Sequence, residues 1–339
     1  MNIKHKKENL IIVGAGLSGL YTAFLLQDKY NITILEARER IGGRILSIDG
    51  LDLGPSWVWP HHTNILKLIK KFKLELIEQY NNGYAIYDDK TEAQKFTAQK
   101  TAPSFRVKGG MNKIIEKLEN ILKENSNVKI HLEEAVEEVE YTNSTLSIKT
   151  NENSYQCDKI VFAIPPRLVT QDISFNPEIP LSSINKLNNI ATWMGHTAKA
   201  AISFEKNFWI EKGLSGFIFS NIGPLMEVHD SSYKDNAALI GFFHSKAKID
   251  KESIKKQIKR IFPLDDKYLK NIYSIDWREE KYTSSLKDKD VDMQYFSYGY
   301  DLSLFDKKID FAGTESSYEN GGYLEGALLS AIKTSNKLL

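Results

Sequence analysis

NLIIVGAGLSG, residues 9–19, joins a short apolar run to glycines at 14, 16 and 19. The apolar run at 10–13 is too short for a helix with its own core face and predicts a strand buried on both sides. Gly14 permits a tight turn off that strand, Gly16 a close backbone approach to a phosphate group, and Gly19 close packing of the next helix. Leu20, Ala23 and Phe24 continue with a helical period, and 32–35 is a second apolar strand ending in Glu36. A helix start offers free N–H groups and a positive dipole end to phosphate oxygens. An acidic residue about 20 positions past the glycines is placed to bind a ribose hydroxyl. The stretch therefore predicts a β-α-β unit that cradles a dinucleotide through Gly14, Gly16, Ser18, Gly19 and Glu36.

The chain continues EARERIGGR at 36–44. Gly42 and Gly43 allow a second close backbone approach, and the guanidinium of Arg44 is a fixed cationic fork suited to a diphosphate. The 339 residues suffice for one large or two interwoven domains, and the formal net charge of +1 gives no global attraction to nucleic acid or an anionic membrane. Cys157 is the only cysteine, which excludes an internal disulfide and a cysteine-based metal cluster. The basic residues Lys4 to Lys7 before an apolar run imitate a signal peptide, but the run is the nucleotide strand and no small-residue cleavage site follows. No apolar stretch reaches the roughly 20 residues that span a bilayer. A cytoplasmic protein is expected.

Further along, LDLGPSWVWP at 51–60 is a strand end and a turn. Trp57 and Trp59 are two apart, so in extended chain they share a face and suit the wall of an apolar pocket. His61 and His62 follow on the loop and are expected to be solvated, with no metal-ligand spacing. Helical patterns follow at 63–74 and 111–124, strands at 128–132, 136–141, 145–149 and 154–164, and a helix capped by Asp250. In MGHTAKAAISF, Thr197, Lys199, Ala201 and Ser203 alternate with Ala198, Ala200, Ile202 and Phe204. Lys199 is thus a cation in a small, apolar strand, where burial is expensive unless water or an acceptor reaches it.

GAGLSGL at 14–20, Glu36 and ERIGGR at 39–44 resemble the opening of the flavin-dependent amine oxidase family, which includes monoamine, polyamine and L-amino acid oxidases and lysine-specific histone demethylases. The resemblance continues through LDLGPSW at 51–57, KGGMNKI at 108–114, KIVFAIPP at 159–166, MGHTAKAAISF at 194–204, FAGTE at 311–315 and GGYLEGA at 321–327. It spans nearly the whole chain, in family order, and identifies a short, bacterial-type member.

That resemblance implies an α/β protein: a Rossmann-like FAD-binding domain of the GR2 type (1–50, 105–166 and 285–339) interleaved with an α+β substrate-binding domain (51–104 and 167–284). Val136 matches a residue whose backbone binds the adenine edge, Glu315 one that bonds FAD hydroxyls, and Leu324 starts a helix whose dipole faces the flavin pyrimidine. Lys199 matches the lysine that holds a water against flavin N5, and Tyr323 one tyrosine of the family's aromatic cage. The cysteine that bonds flavin covalently in monoamine oxidases and the second cage tyrosine align with Leu286 and Lys287, so FAD is expected to be non-covalent and the cage incomplete. With the sequence closing on the C-terminal helix, the membrane-anchoring tail of mitochondrial monoamine oxidases is expected to be missing.

The implied reaction is hydride transfer from the carbon bearing a neutral amine to flavin N5, imine hydrolysis, and reoxidation by O2 to give hydrogen peroxide. Charged residues that recognise polyamines or amino acid carboxylates in other members align with Trp59 and Trp57, which favours a hydrophobic or aromatic primary amine. Two other functions fit the same motifs: a flavoprotein desaturase or dehydrogenase acting on an apolar substrate, and a non-catalytic FAD-binding protein.

Overall fold

A computed structural model describes residues 7–89, 92–99, 102–234, 236–263, 265–289 and 297–339. The glycine-rich opening folds as its pattern requires. The strand Asn9–Val13 runs parallel to Asn31–Leu35 on one side and to Lys159–Phe162 on the other, with Ile12 opposite both Ile34 and Val161. The sheet continues through Val128–His131 at one edge and through Ile309–Phe311 and Ser303–Leu304 at the other.

Its central strand is buried on both faces, as an uninterrupted apolar run demands. Leu10 and Ile12 pack with residues of the helices Leu17–Leu26, Asn112–Glu124 and Leu324–Leu338. Ile11 and Val13 face the other way, toward Val139, Leu146 and Ile148 of a four-stranded sheet. That sheet holds Ser154–Cys157, Thr145–Thr150, Val136–Thr142 and Ser174–Asn176. The last of these lies beyond the expected boundary at 166, yet pairs in parallel with Val136–Thr142.

The second large sheet has seven strands, in the order Leu269–Asp276, Ala198–Phe204, Ala237–Phe243, Leu225–Asp230, Leu214–Ser220, Tyr84–Asp88 and Ala93–Phe96. The weakly patterned stretch after residue 80 thus supplies an edge hairpin. One face of the sheet is covered by the helix Lys251–Ile261 through Ile254, Ile258 and Ile261. Asp250 caps that helix by accepting from the amides of Glu252 and Ser253. The opposite face carries Ala201, Ala238 and Ile240 and packs on Leu51, Leu53 and Trp57. The alternation read in MGHTAKAAISF therefore sorts its strand between a helix-covered side and a side that packs on the 51–57 segment and carries Lys199 to the cavity. Among the described residues no helix is long and apolar enough to cross a membrane.

Candidate functional site

The turn after the first strand is built by its glycines. Gly14 has φ +101°, and a Cβ there would lie 2.7 Å from Ile164 Cγ2. A Cβ on Gly19 would collide with the carbonyl oxygen of Gly14, so only glycine lets the helix Leu17–Leu26 close onto the turn. Gly16 differs: its backbone is ordinary (φ −73°, ψ 177°), and an added Cβ would meet nothing within 4 Å. It caps the helix without a side-chain hydrogen bond, so the first amides of the helix border open space. Gly42 N–H donates to Ala15 O at 2.8 Å, and a Cβ on Gly43 would lie 3.2 Å from the Gly16 Cα. This contact brings EARERIGGR alongside the turn.

Glu36 is buried, and its oxygens accept from Ala15 N at 2.8 Å and Arg38 N at 3.0 Å. An ionised carboxylate has about four acceptor positions, so capacity for a hydroxyl remains. Ser18 lines the same space, but its hydroxyl lies 3.1 Å from that of Ser330 on the C-terminal helix. Arg44 and Glu315 are brought together: the guanidinium donates to both carboxylate oxygens, at 2.6 and 3.1 Å. Burial pushes the Arg44 pKa down, and Glu315 more than restores it. The same guanidinium donates to Trp193 O at 3.1 Å.

Gly14, Gly16, Ser18, Glu36, Arg44 and Glu315 line one cavity of about 900 Å³, and Gly19 does not border it; the volume is near the upper end of the roughly 300–1,000 Å³ usual for ligand sites. Val136 borders it beside a bulge in its strand, and Leu324 borders it at the start of the C-terminal helix. Tyr323 caps that helix without a side-chain hydrogen bond. The cavity runs on, without division, to Trp57, Trp59 and Lys199.

Lys199 is almost fully buried. Its ammonium donates to Gly54 O at 2.7 Å and to Ser56 Oγ, and lies 5.0 Å from the Phe242 ring centroid and 5.4 Å from that of Trp57. The acceptors and aromatic faces that its burial requires are therefore present. Two of its three donors are occupied, which leaves one for the cavity. Burial pulls its pKa down to about 7, partly countered by Asp52, itself pushed up by burial to about 6.

Trp57 donates from Nε1 to Gln79 Oε1 at 2.7 Å and meets His229 edge to face at 5.0 Å. Trp59 meets Tyr323 edge to face at 5.9 Å. Between the two, Val58 points into the core, as a period of two requires. The histidine expectation needs correction: His61 is exposed, but His62 is buried, 4.4 Å from His61 and 5.6 Å from Tyr323 ring to ring. Burial, and then His61, lowers its pKa. The cause is tertiary. Glu325 of the C-terminal helix accepts from the amides of Asn64 and Ile65, docking the helix Thr63–Lys71 and carrying His62 inward.

Sequence reasoning also missed Trp193. Its ring contacts that of Tyr323 at 5.6 Å and packs so closely that a Cβ on Gly322 would lie 2.6 Å from it. The preceding Thr192 is tied to the buried carboxylate of Asp288, which also binds Arg167 at 2.6 Å. No local pattern signals such a link. Glu227 and Lys281, also unforeseen, line the cavity together with the aromatic side chains. Leu286 and Lys287 do not line it, and Cys157 is buried in the four-stranded sheet. Among the described residues no cluster of His, Cys, Asp or Glu could hold a metal ion.

The sequence profile of the family described as flavin containing amine oxidoreductase matches residues 17–100 and 87–339. Flavin-containing amine oxidase B of Homo sapiens is 22% identical over 460 aligned positions, covering 98% of this chain and 86% of the relative. Flavin-containing amine oxidase A of Bos taurus is 21% identical over 453 positions, covering 98% and 85%. Among solved structures, wild-type putrescine oxidase bound to putrescine matches with a TM-score of 0.81 at 20% identity, covering 98% of this chain and 99% of that one. Cyclohexylamine oxidase from Brevibacterium oxydans IH-35A matches with a TM-score of 0.78 at 17% identity, covering 98% and 100%. The fold is thus the expected one, a Rossmann-like parallel sheet interleaved with a second, α+β domain. By the extent of the profile match, the chain is a member of the flavin containing amine oxidoreductase family.

Proposed function

We propose that this protein is an FAD-dependent, amine oxidase-type oxidoreductase that removes a hydride from the carbon next to a neutral amine, yielding an imine that water hydrolyses. The observation that carries this reading is the placement of a buried lysine and an aromatic wall at one end of the cavity that begins at the glycine turn.

The residues present fit FAD. The open Cβ position of Gly16 and the uncapped amides of its helix suit a pyrophosphate. Glu36 would take ribose hydroxyls, Arg44 and Glu315 would serve the phosphate and sugar hydroxyls, and Val136 would meet the adenine through its backbone. The helix beginning at Leu324 brings a positive dipole end to the cavity, favourable to negative charge on a reduced cofactor. Bound FAD supplies the two-electron acceptor, with O2 restoring its oxidised form as hydrogen peroxide is released.

The protein's own contribution is position and electrostatics. Lys199, fixed by Gly54 and Ser56, keeps one N–H to hold a water in the cavity. Trp57, Trp59 and Tyr323 exclude solvent from the apolar part of an amine. No general base is needed when the amine binds neutral. Non-covalent attachment is supported by Cys157, which lies away from the cavity with its thiol pushed up to about 12, by burial and then by Asp158. The test is extraction of FAD from the purified protein, together with peroxide release on adding a primary amine. Flavin-containing protein that releases no peroxide with amines but reduces its flavin with an apolar alkene precursor would support the desaturase alternative.

A further inference from the structure

The ammonium of Lys199 sits between two aromatic faces. Lys199 lies directly opposite Phe242 on the neighbouring strand, so the two side chains leave the same face of the seven-stranded sheet with their Cβ atoms about 5 Å apart. Trp57 reaches the same point from the 51–57 segment. The Phe242 and Trp57 rings are 6.2 Å apart and inclined at 31°. Lys199 Nζ lies 5.0 Å from the first centroid and 5.4 Å from the second. Both distances are inside the roughly 6 Å over which a ring face attracts a cation. The two rings, like the lysine, line the cavity.

Both rings are fixed from outside. Trp57 Nε1 donates to Gln79 Oε1 at 2.7 Å, Gln79 Nε2 donates to Asp230 O at 2.9 Å, and His229 meets the indole edge to face at 5.0 Å. Phe242 is set by register, opposite Lys199 on one side and Glu227 on the other. The direct contacts of the lysine are otherwise uncharged. Its hydrogen bonds go to Gly54 O and Ser56 Oγ, and the strand on its far side puts Ile275 opposite it. Asp52 favours the ammonium through space, while its Oδ1 is engaged by Ser47 Oγ at 2.6 Å and Met111 N at 2.8 Å. Among the described residues the sheet brings three other titratable groups to the cavity. They are Glu227, paired with His229 at 2.6 Å, and His196 and His244, just outside the strands of Lys199 and Phe242.

A buried ammonium must recover from the protein what water gave it; here two neutral acceptors supply part and two ring faces another part. Resting on the role read for Lys199 above, we propose that Trp57 and Phe242 form an aromatic box for the chain's own ammonium that keeps Lys199 cationic at the cavity. Phe242 is thereby a positioning residue for the reaction of the reduced cofactor with O2. In that reaction O2 takes two electrons and one proton from the reduced, anionic cofactor and a second proton from water, and leaves as hydrogen peroxide. Negative charge builds on the oxygen as the first electron arrives, and a fixed cation beside it stabilises that charge. Trp57 then supports the lysine as well as walling the amine.

Two readouts test this, and neither uses an amine. In the flavin-free protein, denaturant unfolding at stepped pH locates the pH above which stability begins to rise as native Lys199 gives up its proton. It is read as the difference from the same protein carrying Lys199→Met. Phe242→Leu, which is apolar but has no π face, should lower that pH by about half a unit to one unit. Phe242→Tyr, which keeps the ring, should leave it within about 0.3 unit. In FAD-loaded, photochemically reduced protein, the second-order rate constant for O2 should fall as pH rises through the same value. That break should move down by the same amount in Phe242→Leu but not in Phe242→Tyr. Should Phe242→Leu not fold, Trp57→Leu against Trp57→Phe makes the same comparison. An unmoved onset of the stability rise in the ring-less variant would overturn the proposal, and so would an equal shift in the leucine and tyrosine variants, which would assign it to packing. An O2 rate constant without a pH break in the wild type would overturn the function given to the box, and amine oxidation would stand or fall separately on reduction of the flavin by amines.

Discussion

Arg44 and Glu315, 271 residues apart in the chain, hold each other through both nitrogens and both oxygens of their end groups, at 2.6 and 3.1 Å. The contact ties EARERIGGR to the strand-turn that precedes the C-terminal helix, within the lining of the cavity. Glu315 is fully buried, so Arg44→Met would leave a carboxylate without its counter-ion. A loss of about 3–5 kcal/mol in unfolding free energy is expected from urea titration of the flavin-free protein. Arg44→Lys, which keeps charge but not the fork, should fall between. A loss under about 1 kcal/mol for Arg44→Met would show that the pair is structurally idle.

Two glycines in the same turn should respond differently to one methyl group. Gly16→Ala puts a Cβ into open space, with backbone angles any residue adopts. The flavin-free protein should lose no more than about 0.5 kcal/mol, while FAD affinity falls because the methyl enters the space assigned to the pyrophosphate. Gly19→Ala puts a Cβ into the Gly14 carbonyl and should lower both stability and flavin content. Denaturant midpoints and FAD titrations of the two variants decide. Full FAD affinity in Gly16→Ala would move the phosphate site elsewhere.

Lys199 makes stability depend on pH with a definite sign. Its pKa drops from 10.5 in the unfolded chain to about 7 in the fold. Between those values the unfolded chain binds a proton that the native protein does not, so stability rises with pH across that window, by about 1.4 kcal/mol per unit. Asp52, raised to about 6, acts in the opposite direction, but only below that pH. Lys199→Met should flatten the slope between pH 7 and 10.5, read from denaturant unfolding at stepped pH. The same variant should slow the reaction of reduced flavin with O2 more than it weakens FAD binding, and an unchanged oxidative half-reaction would remove Lys199 from the chemistry.

Acid or heat precipitation should leave a colourless pellet and a yellow supernatant. The resemblance of its motifs sets Leu286 at the position of the flavin-linked cysteine of monoamine oxidases, and the thiol of Cys157 is buried away from the cavity. Flavin that stays with the pellet would contradict non-covalent attachment.

Much of the frame was legible before the structure. The run at 10–13 is apolar at every position because both faces of its strand are covered, and the period of two around Lys199 separates a helix-facing from a cavity-facing side. Arg44, Glu315 and Tyr323 could be picked out through their motifs. Their mutual contacts could not, because the pairing of Arg44 with Glu315 depends on how two distant segments dock. Glu227 reaches the site through cross-strand register, Trp193 through the bonds of its neighbour Thr192 with Asp288, and His62 through capping of its helix by Glu325. None of these leaves a local period. Trp57 and Trp59 line the cavity as expected, while Glu227 comes to it from a strand without a recognisable motif.

The most direct measurement is anaerobic titration of the purified, flavin-loaded protein with primary amines, followed by admission of air. The account expects the visible flavin absorbance to fall on adding an amine and to return with oxygen, one hydrogen peroxide appearing per flavin reoxidised. A yellow protein whose flavin no amine reduces would contradict it and would mark the chain as a flavin binder without amine oxidase chemistry.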